Sequence, residues 1–118
     1  MFEKIIEMGL LFDFYGQLLT QKQKQILGMY CNDNYTMVEI AEELSVSRQA
    51  IYDSIKKAEK ILCDYEDKLG LTHKFQETNE AIFKTNSFIE QALSEPTLNS
   101  SLHKELIQIK TIIDKLND

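Results

Sequence analysis

An all-α fold is what this sequence predicts: a helix-turn-helix domain over residues 1–70, continued by a long helix into a C-terminal packing or dimerisation region over residues 71–118. Two observations predict it. Helix-start signals recur: Thr20 with Gln23 and Thr36 with Glu39 are capping boxes, and Ser47 stands where a further helix opens. Apolar residues then repeat at alternating steps of four and three, the mark of an amphipathic helix, in a chain with one proline and four scattered glycines.

The first helix is predicted over Phe2 to Leu19, with Phe2, Ile5, Ile6, Met8, Leu10, Leu11, Phe14, Tyr15 and Leu18 as its apolar set. These cover more than one stripe, so a helix sandwiched between neighbours is expected, with Gly16 loosening its end. Thr20 caps a second helix over about 21–32, with Ile26, Leu27, Met29 and Tyr30 apolar and Lys22 and Lys24 near its first turn. Cations there oppose the helix dipole, a small cost that a phosphate partner could relieve, although plain solvated lysines fit equally well.

The centre of the chain is Tyr35 to Leu62. A helix should begin at Met37 after the Thr36 cap, with Ile40, Ala41 and Leu44 on its buried face and Tyr35 stapled to Ile40. Ser45, Val46 and Ser47 interrupt the pattern, and Ser47 caps the next helix at Arg48. Small Ala41 permits two helices to cross closely, and the whole spacing is that of a helix-turn-helix, whose second helix presents its outer face to a nucleic-acid groove. With Ile51, Ile55, Ala58 and Leu62 inward, the outward residues are Arg48, Gln49, Tyr52, Asp53, Lys56, Lys57 and Lys60. Arg48 and Gln49 can make bidentate hydrogen bonds to base edges, Tyr52 can stack or touch backbone, and the lysines suit phosphate. Asp53 is the awkward member: it repels phosphate, yet it can accept from a cytosine amino group or hold Arg48 or Lys57 in place.

The inward seam continues through Tyr65 and Leu69 to Gly70, which is placed as a C-cap. Thr72 is then expected to cap a helix over about His73 to Leu93, which Ser94, Glu95 and Pro96 end. The last helix, about Ser101 to Leu116, carries Leu102, Leu106, Ile109, Ile113 and Leu116 as one seam, widened by Ile107 and Ile112. Such helices either fold back as an intramolecular bundle or pair with a second copy, and the surplus apolar surface favours a homodimer.

Composition narrows the function. The net charge is −6 and the pI about 4.9, unlike the basic domains that usually bind nucleic acid. The acid is uneven: residues 1–60 hold seven basic and nine acidic groups, residues 61–118 six and ten. A local positive patch around Lys22, Lys24, Arg48, Lys56, Lys57 and Lys60 is thus compatible with an acidic chain, but binding should be weak and salt-sensitive unless an oligomer presents two patches. Cys31 and Cys63 read as buried free thiols of a reducing cytoplasm. No targeting signal or bilayer-length apolar run is expected. His73 and His103 lack ligand-spaced neighbours, no phosphate loop or activated nucleophile appears, and neither a metal, a cofactor nor an enzymatic activity is expected.

Taken together, Leu19-Thr20-Gln21-Lys22-Gln23, Glu39-Ile40-Ala41-Glu42-Glu43-Leu44 and Val46-Ser47-Arg48-Gln49-Ala50-Ile51-Tyr52-Asp53 resemble region 4 of bacterial sigma factors. With Tyr65-Glu66-Asp67-Lys68-Leu69 added, the chain more closely resembles the YlxM family of helix-turn-helix proteins over about residues 1–70. The resemblance implies a sigma-region-4-like domain in a bacterial cytoplasmic protein. Genes of that family neighbour those of the signal recognition particle GTPase, which implies a regulatory role in that pathway through its protein or its small RNA. The recognition positions carried over are Ser47, Arg48, Gln49, Tyr52 and Lys56, to which the outward lysine Lys57 is added from the spacing. The competing expectation is a protein-interaction adaptor whose acidic C-terminal half docks the GTPase or ribonucleoprotein.

Overall fold

The computed structural model describes residues 2–116, and every regular element among them is helical. The helices are α1 (Phe2–Tyr15), α2 (Gln21–Cys31), α3 (Met37–Leu44), α4 (Arg48–Leu69), α5 (Leu71–Leu93) and α6 (Ser100–Leu116), with one 3-10 turn at Gly16–Leu18. They divide into two compact units, the first ending at Thr72 and the second starting at His73.

The first unit is built by its caps and one core. Both capping boxes form in full: the Thr20 hydroxyl accepts from the Gln23 backbone N–H while the Gln23 side-chain Oε1 accepts from the Thr20 backbone N–H, and Thr36 and Glu39 repeat the arrangement. Between α2 and α3 the chain reverses through Asn34 in the left-handed region, φ 59°, one of the few side chains that tolerate it. Met8, Tyr15, Leu27, Ile40, Ile51, Ile55, Ala58 and Leu62 meet in a core shared by α1 to α4. Burial of these faces, rather than helix propensity, holds so short a helix as α3.

Helix α1 departs from expectation at both of its features. It stops at Tyr15 (φ −119°, ψ −1°) instead of running to Leu19, and the chain tightens there into the 3-10 turn. Gly16 lies against the Phe12 ring, where a Cβ would sit 3.0 Å from ring carbons, so a larger residue there would have to push the ring aside. Nor is the helix covered all round: Met8 and Tyr15 are buried, while Ile6, Phe14 and Leu18 face outward; the Phe2 side chain lies outside the described residues.

At the far end of α4, Gly70 takes φ 62° and its N–H donates to the Glu66 carbonyl, as the sequence indicates. The next helix begins two residues earlier than expected. Tyr15 Oη donates to Glu66 Oε1 at 2.6 Å and accepts from the Leu71 N–H at 3.1 Å, and the same carboxylate oxygen accepts from the Thr72 N–H at 3.1 Å. Two of the orphan N–H groups of the first turn of α5 are thereby satisfied by side chains from α1 and α4, and Thr72 is a buried residue of that turn instead of its cap. Burial first, then the hydrogen bond to Glu66, pushes the Tyr15 hydroxyl above its ordinary range. Its ring stacks on Tyr65 with centroids 6.0 Å apart.

In the second unit, α5 and α6 run antiparallel. Asn86 donates to Asp114 at 3.3 Å, and Lys110 lies 3.6 Å from Glu90, so the α6 partner steps backward as α5 advances. Asn99 starts α6 by accepting from the Ser101 N–H at 2.7 Å. Among the described residues of this unit the only buried apolar side chain is Ile89.

The two cysteines are free, but only Cys31 is sheltered; Cys63 is exposed, contrary to expectation. One residue past Leu62, it is turned about 100° out of the inward seam. Burial, with Asp13 adding, pushes the Cys31 thiol up to about 11. No described helix is long and apolar enough to cross a membrane.

Candidate nucleic-acid interface

Helices α3 and α4 meet through a three-residue turn. Ser45 adopts φ 55°, the left-handed conformation in which its N–H returns to the Glu42 carbonyl at 3.3 Å, and the Val46 N–H reaches the Ala41 carbonyl at 3.0 Å. The Ser47 hydroxyl then accepts from the Ala50 N–H at 3.0 Å, which sets the direction in which α4 departs. Ala41 and Ile40 are buried at the crossing, where a small residue lets the backbones approach. This turn geometry makes a helix-turn-helix of α3 and α4.

The facing of α4 follows from its seam. Ile51, Ile55, Ala58 and Leu62 are each at most 1% exposed, so the opposite face is left open. Arg48, Gln49, Tyr52, Asp53, Lys56 and Lys57 all lie on that open face. Ser47 joins them at the N-terminus, its oxygen committed to the cap and its hydroxyl hydrogen available to a partner.

Local pairing grades these groups. Lys56 sits over the Tyr52 ring, 5.6 Å from its centroid, and 3.8 Å from Glu59. Lys60 pairs with Asp64 at 3.8 Å. Arg48 and Lys57 make no ion pair among the described residues, so they are the cations of this face with least competition for an anionic ligand. Asp53 holds neither Arg48 nor Lys57; it accepts from the Gln49 amide at 2.8 Å, one helical turn away. Gln49 keeps its carbonyl oxygen and a second N–H free, in an orientation that Asp53 selects.

Beneath Tyr52 and Lys56 lies a cleft of about 200 Å³ lined by Ile5, Met8, Tyr30, Met37, Ile55 and Glu59. Nothing in the residue spacing marks it, because its walls come from four helices. Among the described residues no three His, Cys, Asp or Glu side chains gather as a metal set.

The pattern that defines the family described as "Putative helix-turn-helix protein, YlxM / p13 like" matches residues 2–105. The chain belongs to this family. Relatives within it, named UPF0122 protein, include one from Bacillus mycoides (strain KBAB4) that is 45% identical over 117 residues, covering 99% of this chain and all of the relative. Others from Bacillus thuringiensis (strain Al Hakam) and Bacillus cereus (strain 03BB102) are 44% identical over the same span. Membership in the family therefore takes in both units of the chain, and the C-terminal helices are part of what the relatives share in length.

Proposed function

We propose that this protein is a non-enzymatic, cytoplasmic regulator that binds nucleic acid, DNA or the signal recognition particle RNA, through the outer face of α4. In this reading Arg48 and Gln49 reach base edges, Tyr52 stacks or meets sugar and backbone, and Ser47, Lys56 and Lys57 hold phosphate. The observation that carries it is the open face of α4 beside the helix-turn-helix turn, with Arg48 and Lys57 outside any ion pair among the described residues. The pathway comes from the family resemblance, and a homodimer is part of the reading because one acidic chain offers a weak patch and two offer avidity.

The acidity of residues 61–118 and of Asp53 favours a second reading, an adaptor that keeps the helix-turn-helix architecture and docks the signal recognition particle GTPase directly. One experiment tests both. Binding is measured to the particle's RNA and to random duplex DNA at two salt concentrations. Arg48→Ala is expected to cost about 1–3 kcal/mol and relax sequence preference, and Lys56→Ala to weaken binding evenly and lower the salt slope by about one. Unchanged affinity in both variants removes α4 from the interface. A GTPase partner retained in pull-downs after nuclease treatment supports the adaptor.

A further inference from the structure

We infer that one side of the α5–α6 pair is the interface by which a second copy of this chain binds, which rests on the homodimer in the reading above and gives it a location. The starting point is how little the pair buries. Ile82, Asn86 and Ile89 of α5 face Leu106, Lys110 and Ile113 of α6, yet of these only Ile89 is fully buried, and α6 has no buried residue. Isolated helices of this length depend on packing an apolar face, and these faces are largely unspent.

Five of the open large apolar residues, Phe88, Leu102, Ile109, Ile112 and Leu116, share one side of the pair. At 3.6 residues per turn, Ala81, Thr85, Phe88 and Ala92 form a stripe about a quarter-turn from the α5 seam, and Leu102, Ile109, Ile112 and Leu116 form one about a quarter-turn from the α6 seam. Both stripes are displaced in the same rotational sense, each viewed from its own helix start. Because the helices are antiparallel, that sense brings both stripes to the same side of the pair.

Two properties of this side specify a second copy. The first is size. Phe88 is 69% exposed, Leu102 46%, Ile109 45%, Ile112 62% and Leu116 70%. Taking about 200 Å² for a large side chain, they offer on the order of 600 Å² of apolar surface, at the top of what a monomer leaves open. With a polar rim that reaches the roughly 800 Å² per partner of a standard interface. The second is self-complementarity. The α6 stripe is all large, and the α5 stripe is small except for Phe88, so a two-fold axis sets the knobs of one α6 against the shallow Ala81–Thr85–Ala92 surface of the other copy's α5. Four helices then enclose the surface that two leave open. Phe83, 77% exposed, and Ile107, 45% exposed, point to the other side of the pair and take no part.

Sedimentation equilibrium of the full chain is the test. The wild type is expected to dimerise at tens of micromolar. Phe88→Glu and Ile112→Glu should each weaken self-association by more than about 30-fold, with far-ultraviolet dichroism still helical, and Phe83→Glu should leave it within about threefold. Should either interface variant lose its helix, hydrogen exchange of the wild type decides: amides of α6 must lose protection on dilution. A dimer that both variants leave intact, or that Phe83→Glu alone disrupts, overturns this interface while the homodimer stands. A wild-type monomer at every concentration overturns both, and Arg48-dependent binding of nucleic acid is read separately in the same variants.

Discussion

Which way α4 faces decides which residues a ligand can meet, and stability reads that facing without any ligand. Ile55 is 1% exposed in the middle of the helix, whereas Lys57, two residues on, lies on the open face. Ile55→Ala deletes three buried carbons, worth about 2.4 kcal/mol at roughly 0.8 kcal/mol per methylene. A cavity of about 80 Å³ adds up to roughly 1.9 kcal/mol at about 24 cal/mol per Å³, less whatever the neighbouring side chains recover by collapsing. Alanine's better helix propensity returns about 0.4 kcal/mol. The expected loss is therefore about 3–4 kcal/mol, a large share of the stability of a domain this size. Urea unfolding followed by helical dichroism should show the midpoint falling by about 1.5–2 M for a slope near 2 kcal/mol per M. Lys57→Ala, which removes only solvated atoms, should stay within about 0.5 kcal/mol of the wild type. Equal losses, or a larger loss from Lys57→Ala, would mean that the helix is rotated from the position described and that Arg48, Gln49 and Lys57 do not share an open face.

Two further outcomes follow from the turn and from the Tyr15 network. Ser45 occupies the left-handed region at φ 55°, where a side chain costs about 1–2 kcal/mol and glycine costs about 0.5–1 kcal/mol in chain entropy, so Ser45→Gly should stabilise by roughly 0.5–1 kcal/mol. A lowered melting temperature would show that the Ser45 side chain contributes something that the backbone strain does not outweigh. Tyr15 has its hydroxyl proton held by burial and by Glu66, so the folded state retains that proton at a pH where the unfolded chain has lost it. The resulting stability is full below the ordinary tyrosine range and is lost as pH rises through the folded value. Absorbance titration of phenolate should thus show a step above the ordinary tyrosine range that Tyr15→Phe removes; a titration unchanged by the substitution would contradict the network.

What the sequence by itself determined is what closes within about four residues. Thr20 with Gln23, Thr36 with Glu39, Ser47 with Ala50 and Gly70 with Glu66 each make their hydrogen bonds where the spacing places them. The inward seam of α4 was equally legible from Ile51 to Leu62, because a helix repeats its facing every 3.6 residues, but Leu69, expected to continue it, is 56% exposed because among the described residues no neighbouring helix covers its side chain. The all-helical class and the outward position of Arg48, Gln49, Tyr52, Lys56 and Lys57 rest on such local regularities, whereas the family rests on the resemblance of particular motifs. Only the tertiary structure decided the remainder. Tyr15 meets Glu66 across 51 residues and the Leu71 N–H across 56, and this contact moves the start of α5 from His73 to Leu71. Spacing of four residues leaves Asp53 open to both Gln49 and Lys57, and only the folded structure gives it to Gln49. The exposure of Cys63 depends on which residues the other helices cover. Periodicity fixes the direction a side chain leaves its own helix, and only the arrangement of the other helices fixes what it finds there.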